Sequence, residues 1–356
     1  ESKLPKKVSR LMGRPTSLGT KISILDKFAE LPKLSRKVTS WSATYKDWHK
    51  RKRFFSSIGA NLAYDSQAAG VSLKMELSSE SQRFSDSIAF AATYPEDLLS
   101  RLGTANQELI ECELFCSNAE TVEGGEFPVL LSPQAAGVFA HETFGHRSES
   151  DFFLGDKAFK EKWAIGRRVG STSLNIWDNG NVPGTGFVPF DDEGTKARDT
   201  LLVRDGILAG RLHSAKTAVD FGEELSGNSR AINFEFEPIV RMTCTCIAPG
   251  EKAKEKIIQE MNHGVYVATV SQGGGHEIFT LTPSRAYLIE NGNITRPVRF
   301  SVVTGDIMVT LNEIDAVSQE FSVFNSTTGG CGKMMQYPLP VSYGGPFVRI
   351  KNILVK

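Results

Sequence analysis

The sequence predicts an α+β fold in which a mixed N-terminal region precedes a mostly antiparallel β region. Strand-like alternation of Ser, Thr and aromatic residues dominates residues 37–94, and helical patterns flank that stretch on both sides. Beyond residue 151 the chain is rich in Gly, Thr, Val and Ile, with few helical patterns. The segment Thr121–Phe127 (TVEGGEF) has the composition of a boundary. We therefore expect an N-terminal α/β domain over residues 1–120 and a β-rich domain over residues 121–356.

The N-terminal region contains two predicted helices. Apolar residues recur at helical spacing over residues 21–31, and a second helical stretch over residues 95–117 begins with acidic residues that its dipole favours. The basic run Lys46–Arg53 predicts a solvated strand end or turn, with nucleic-acid contact as the alternative. Between the helices, antiparallel strands are predicted over residues 37–48, 53–65, 70–81 and 86–94.

The β-rich region is marked by two hairpin signals. Leu201–Leu212 contains Asp-Gly between apolar strands, and Ala286–Val298 contains Asn-Gly in the same setting. Pro128–Leu131 is predicted as a short apolar strand that leads into a helix beginning at Ser132. A further helix is expected over Lys252–Met261.

Composition limits the classes of function. The formal net charge is zero, so no global charge attracts nucleic acid or an acidic membrane surface. No apolar run approaches the length of a transmembrane helix. The 5 cysteines have no scaffold-like spacing, which favours free thiols in a reducing compartment, and we expect a cytoplasmic protein. The chain begins at Glu1, which leaves an upstream segment open.

The predicted helix after Ser132 carries the pattern H-E-x-x-x-H, formed by His141, Glu142 and His146. Two imidazoles and a carboxylate are the side chains of a metal-hydrolase site: metal ligands and a base for water. On a regular helix the second His lies about 140° round from the first. Gly145 is the residue best able to end the helix there or to allow a π-bulge. The pattern alone leaves open an ordinary polar His beside a buried, hydrogen-bonded one.

A catalytic zinc normally has three protein ligands, so a third must come from elsewhere. Cys331 is the best candidate, because the Gly-rich segment Thr327–Lys333 (TTGGCGK) allows close approach; the alternative is a free thiol in a tight turn. Competing ligands are His213, His276 and the pair Cys244 and Cys246. We expect Cys244 and Cys246 to be core residues on one side of a strand, and Cys112 and Cys116 to be core residues of a helix.

Three polar segments have less specific signals. Asp191–Gly194 is an acidic cluster that is either a solvated turn or a cation site. Ser226–Arg230 and Ser271–Gly275 have the composition of mobile loops, which either flank a peptide groove or form surface turns.

These motifs, taken together, resemble the TldD/PmbA family of metallopeptidases. The resemblance rests on segments spread over residues 128–346, about two-thirds of the chain: HETFGHRSESD, DDEGTKARDTLLVRDGILAGRLHSAKTA, SGNSR, P-x-V-R-M-T, AYLIENGNITRPV, CGK and a final Gly-Gly-Pro. The H-E-x-x-x-H pattern indicates the metal-bearing, TldD-like branch. Two departures are Cys244, where the family pattern has Asn, and a shortened loop after Gly275.

The resemblance implies a zinc-dependent peptidase acting on peptides or unfolded segments. It implies His141, His146 and Cys331 as ligands and Glu142 as the base. It also implies a dimer, either of two copies or with a PmbA-like relative, and an N-terminal α/β domain whose front part is absent here. Glu149 and Asp151 are expected to orient the ligand imidazoles through hydrogen bonds. The alternative function is a non-catalytic metal-binding or assembly subunit, or a partner in peptide maturation.

Overall fold

The computed structural model describes residues 8–10, 13–57, 59–80, 82–275 and 277–356. Its fold is α+β, as predicted. In the N-terminal region, strand β3 is the centre of a four-stranded sheet, with β2 on one side and β1 and β4 on the other. The elements of this region are β1 (Val8–Arg10), α1 (Leu18–Ala29), β2 (Val38–Phe55), β3 (Asn61–Ser78), β4 (Arg83–Ala92) and α2 (Leu102–Asn118), with 3-10 helices at Leu31–Leu34 and Pro95–Arg101.

Both helices predicted in this region are confirmed, and they cover one face of the sheet. Alternate residues of β3, such as Val71 and Leu73, pack with Phe28 of α1 and with Leu109 and Phe115 of α2. The two cysteines of α2 belong to the same apolar cluster, which confirms the prediction for Cys112 and Cys116.

The strand prediction here needs a correction. The segment 53–65 is not one strand but contains the turn between β2 and β3, where the Ser56 N–H donates to the Ala60 carbonyl. The basic run Lys46–Arg53 is likewise neither a strand end nor a turn, because each of its residues pairs with β3 inside an 18-residue strand. Backbone pairing with β3 therefore determines the secondary structure of this run, and its high local charge density does not. Lys52 forms an ion pair with Asp192 of the β-rich region.

The β-rich region is built on a twelve-stranded sheet with the order β5-β15-β14-β13-β6-β20-β12-β7-β8-β9, to which β16 and β17 are added at β20. Its strands are β5 (Glu120–Thr121), β6 (Gly125–Leu131), β7 (Ile176–Asn179), β8 (Asp199–Arg204), β9 (Ile207–Leu208), β12 (Cys244–Ile247), β13 (His263–Gly275), β14 (Ile278–Glu290), β15 (Asn293–Arg299), β16 (Val303–Asp306), β17 (Ile314–Asn325) and β20 (Ser342–Val355). Two small antiparallel pairs lie outside this sheet: β10 (Ser229–Arg230) with β11 (Ile239–Val240), and β18 (Cys331–Lys333) with β19 (Gln336–Leu339).

Most pairs in the large sheet are antiparallel, and the parallel ones join β5 to β15, β6 to β13 and β12 to β20. Both predicted hairpins are confirmed, as β8–β9 and β14–β15. The remaining helices are α3 (Pro133–Ala140), α4 (His146–Ser148), α5 (Lys157–Lys162), α6 (Ala215–Phe221), α7 (Lys254–Gln259) and α8 (Ile307–Asn312), with a π-helix at His141–Gly145 and a 3-10 helix at Ser150–Phe153.

The predicted helix over Lys252–Met261 is confirmed as α7. Helix α3 packs on the large sheet against β20 and β13, and its buried residues join the larger apolar core. The division at residue 120 stays a prediction. Within the described residues, no helix combines the length and the apolar character needed to cross a bilayer.

Arg285 links the two regions. Its guanidinium, on β14 and 2% exposed, forms ion pairs with Asp86 of β4 at 3.2 Å and with Glu108 and Glu111 of α2 at 3.0 and 2.8 Å. A buried cation without such partners is strongly unfavourable, so these carboxylates fix α2 and β4 against the large sheet.

Candidate metal centre

Helix α3 begins where the sequence predicts. The Ser132 Oγ accepts the Ala135 N–H at 3.1 Å, and Pro133 occupies the first turn, where a missing N–H costs nothing. The helix lies unusually close to β20: a Cβ on Gly137 would stand 2.8 Å from the Cα and N of Gly344. The missing side chain of Gly137 permits this approach, and it fixes the position of the residues that follow.

The π-helix removes the difficulty of the i+5 spacing. The His146 N–H donates to the His141 carbonyl, so the backbone closes a wider turn and the two histidines share a face. Their ring centroids are 5.1 Å apart, with the planes at 81°. Gly145 has a regular helical φ of −54°, so the backbone here does not require the conformational freedom of glycine. Glycine is required for lack of space, because a Cβ at this position would lie 2.1 Å from the Sδ of buried Met242.

Cys331 reaches this pair from the start of β18. Its Sγ lies 3.5 Å from His146 Nε2, and one ligand atom from each of His141, His146 and Cys331 lies within 4.8 Å of the others. The Cys331 carbonyl accepts a hydrogen bond of 2.8 Å from Arg241, whose side chain is fully buried and holds the loop in place. The structure thus brings together the three residues that the sequence predicted as ligands.

Glu142 faces a cavity of about 490 Å³ beside His146. Strand β13 runs close to it: a Cβ on Gly273 would lie 2.9 Å from Glu142 Cγ, and one on Gly275 would lie 3.5 Å from the Glu142 carbonyl. The segment Ser271–Gly275 is therefore the end of a strand, and its prediction as a mobile loop was wrong. The missing side chain of Gly273 makes room for Glu142 of the π-helix.

Comparison with known proteins identifies the family. The model of the PmbA/TldA metallopeptidase C-terminal domain matches residues 124–356. The chain belongs to the TldD/PmbA family of metallopeptidases. It is 39% identical over 237 residues to a metalloprotease of Synechocystis sp., which covers 66% of this chain and 51% of that protein. It is 28% identical to a zinc metalloprotease TldD homolog of Saccharolobus solfataricus, over 94% of this chain and 75% of the relative.

Solved structures share the fold of this TldD/PmbA family member. TldE from Thermococcus kodakarensis matches with a TM-score of 0.75 at 18% identity, covering 96% of this chain and 75% of that one. A Thermotoga maritima protein matches with a TM-score of 0.76 at 21% identity, covering 99% and 81%. The chain spans about half the length of curated relatives such as the Synechocystis protein.

The metal that the family name implies fits the residues present. His141 is buried, and its Nδ1 has no hydrogen-bond partner among the described residues, so the protein leaves this imidazole incompletely satisfied. Two imidazoles and a thiol are a donor set that zinc and related ions prefer. One ligand atom from each of the three side chains lies within 4.8 Å of the other two.

The electrostatics of the site favour a thiolate. Burial alone would raise the pKa of Cys331, but the charge of His141 and hydrogen bonds with both histidines lower it to about 5. Burial would lower the pKa of His146, but hydrogen bonds with Cys331 and Glu149 raise it to about 10. Glu149 is fully buried, and its hydrogen bond with His146 and the charge of Lys333 nevertheless hold its pKa below its usual range.

The two carboxylates predicted to orient the imidazoles lie in different places. Glu149 Oε2 is 3.2 Å from His146 Nδ1, the contact that such a part requires. Asp151 instead accepts from Lys333 Nζ at 2.6 Å and from the Val240 N–H at 3.2 Å. Its link to the histidines therefore runs through Lys333, a residue to which the sequence gave no part.

The competing ligands are accounted for by other contacts. Both ring nitrogens of His213 are paired inside the protein, with Thr217 Oγ1 at 3.1 Å and Glu223 Oε2 at 3.0 Å. Cys244 and Cys246 are fully buried with their Sγ atoms 3.7 Å apart, which confirms them as core residues. His276 lies outside the described residues.

The segment predicted as a solvated turn or cation site and the segment predicted as a mobile loop are both held by contacts inside the protein. Asp191 is fully buried and accepts the N–H groups of Glu193, Thr195 and Ser229 at 2.8 to 3.0 Å, so Asp191–Gly194 is a turn organised from inside. In Ser226–Arg230, all four side chains are buried, and Arg230 Nη2 donates to the Pro340 carbonyl at 2.7 Å. These contacts join positions that are far apart in the sequence, so no local pattern indicates them.

Proposed function

We propose that this chain is the catalytic region of a zinc-dependent peptidase that hydrolyses peptides or unfolded protein segments. The observation that carries the proposal is the convergence of His141, His146 and Cys331, within 4.8 Å of one another, beside a cavity that Glu142 lines. The family and the metalloprotease names of its relatives support the reaction class. Within this proposal, residues 1–120 form a separate N-terminal domain and residues 121–356 form the catalytic one.

The chain's own residues divide the chemistry among them. His141, His146 and Cys331 would hold Zn²⁺, which when bound polarises a peptide carbonyl and makes water more acidic. Glu142 is half-buried at the cavity wall, where its carboxylate takes the proton of the attacking water and then delivers it to the leaving amine. His146 is held at Nδ1 by Glu149, at 3.2 Å, which fixes the orientation of the ring.

The substrate would dock as an extended strand. The last residues of β13, Gly273–Gly275, pair with β14, while the described pairing of β13 with β6 stops at Val267. One face of this strand end lies beside Glu142. A peptide added there would be held through its backbone, which gives tolerance of sequence.

Assembly and location are also proposals. We place the peptidase in a dimer, of two copies or with a PmbA-like relative, and the fold shared with TldE supports a symmetric pairing of like subunits. All 5 cysteines are free thiols, which supports a reducing compartment such as the cytoplasm.

Glu142→Gln tests the assignment. The variant should keep its zinc, because Glu142 is not one of the three converging residues, and should hydrolyse unstructured peptides about 10²- to 10⁴-fold more slowly. Glu255→Gln, at an exposed position of α7, is the matched control and should leave turnover unchanged. Unchanged turnover in Glu142→Gln would refute the assignment. Zinc binding with no hydrolysis by the unmutated protein would favour the metal-binding assembly subunit instead.

A further inference from the structure

Lys333 is a buried lysine beside the candidate metal centre. Its side chain is 2% exposed, and its Nζ forms an ion pair with Glu149 Oε2 at 3.1 Å and donates to Asp151 Oδ1 at 2.6 Å and to the Val240 carbonyl at 2.9 Å. The ammonium also lies 4.1 Å from the centroid of the Phe152 ring. The ammonium of Lys333 is thus surrounded by two carboxylates and a carbonyl, which are the kinds of acceptor that an ammonium requires when it is buried.

The same carboxylate oxygen serves Lys333 and a candidate ligand. Glu149 Oε2 contacts both the Lys333 ammonium and His146 Nδ1, the latter at 3.2 Å. Lys333 also follows Cys331 by two residues on β18. One buried ammonium thus joins the segment that carries the thiol to the carboxylate that holds the imidazole.

We propose that Lys333 is a positioning residue for the metal centre and acts through Glu149. The inference rests on the proposed function only in that His146 and Cys331 bind the metal. With its oxygen fixed by the ammonium, the Glu149 carboxylate accepts a hydrogen from His146 Nδ1. The other nitrogen, Nε2, which faces Cys331 Sγ at 3.5 Å, is then left to bind a metal ion.

The contacts of the ammonium favour a role inside the protein over direct action on a substrate. Lys333 lines the 490 Å³ cavity together with Glu142, but its ammonium already contacts two carboxylates and a carbonyl of the protein. Glu149 is fully buried and needs a positive partner to stay in place. Loss of the ammonium would therefore release the Glu149 carboxylate from its position, and this effect would be larger than any effect on the cavity.

Zinc affinity, measured by competition with a chromophoric chelator, tests the proposal without any activity assay. Lys333→Met should weaken binding about 10- to 100-fold, the range typical for partners of ligand histidines, and Glu149→Gln should do the same. The double variant should be no weaker than Glu149→Gln alone, because Lys333 acts through that carboxylate. Lys351→Met, at an exposed lysine of β20, is the control and should bind zinc as the unmutated protein does.

A second measurement separates positioning from general stability. The cobalt-loaded Lys333→Met protein, saturated with metal, should show altered visible bands, because the His146 ring is no longer held. If Lys333→Met does not fold, Lys333→Gln, which keeps an amide donor, takes its place in both measurements. Unchanged zinc affinity, or losses that add in the double variant, would overturn the proposal. The failure of peptide hydrolysis alone would count against the proposed function and leave this inference standing.

Discussion

Replacing Gly137 by alanine should lift α3 from β20 and disturb the metal centre that follows it. The added Cβ would lie 2.8 Å from the backbone N and Cα of Gly344 and 2.9 Å from Tyr343 Cδ2. Carbon contacts are normally about 3.5–4.0 Å, so the helix or the strand must move by at least roughly 0.7 Å. Backbone atoms cannot rotate aside, which makes this an overpacked contact.

The magnitude follows from two opposed effects. Overpacking a core costs about 1–3 kcal/mol, whereas Gly→Ala in a helix contributes up to about 1 kcal/mol of stability. For a clash against backbone we take the upper end of the first range and expect a net loss of about 2 kcal/mol in the free energy of unfolding. Distances between a metal and its ligands can deviate by only about 0.2 Å from their normal values, so zinc affinity should also fall by roughly tenfold.

Chemical denaturation and a zinc competition titration measure the two effects. Gly103→Ala is the matched control, since nothing lies within 4 Å of its added Cβ in helix α2. That variant should be as stable as the unmutated protein or up to about 1 kcal/mol more stable, with unchanged zinc affinity. A Gly137→Ala protein that is as stable as the Gly103→Ala control would refute the reasoning.

Two further predictions concern charge. Zinc affinity should rise about tenfold per pH unit between about pH 6 and 9. The pKa of His146 is about 10, so this imidazole must lose a proton before it binds zinc. The pKa of Cys331 is about 5, so the thiol has already lost its proton in this range. Competition titrations at several pH values test this, and a flat profile would contradict it. Arg285→Met should lower the free energy of unfolding by about 3–5 kcal/mol, because it leaves Asp86 buried and unpaired. Arg296→Met, at an exposed ion pair, should change it by at most about 1 kcal/mol, and equal effects in a denaturation assay would count against the buried network.

The sequence predicted the parts of the centre that depend on local patterns. Ser132 and Pro133 mark the start of α3, and the i+5 spacing of His141 and His146 requires either a helix end or a π-turn. The choice between them could not be made locally. The reason for glycine at position 145 is likewise not local, because Met242, about a hundred positions away in the sequence, leaves no room for a side chain there.

What the sequence missed depends on distant partners. The Ser226–Arg230 segment is polar enough for a loop, yet its Arg230 guanidinium is buried and donates to the carbonyls of Met242 and Pro340. The basic run in β2 was misread for the same reason, since its pairing with β3 is invisible in local composition. Lys333 shows no signal by itself, because its importance arises only where Glu149 and Asp151 converge on it.

The most direct test of the metal centre is the zinc content of the purified protein beside that of Cys331→Ala. The unmutated protein should carry about one zinc per chain, and the variant far less, because only two of three protein ligands remain. Glu142→Gln, prepared in the same way, should match the unmutated protein. Equal zinc in Cys331→Ala and the unmutated protein would contradict the assignment of Cys331 and, with it, the centre described above.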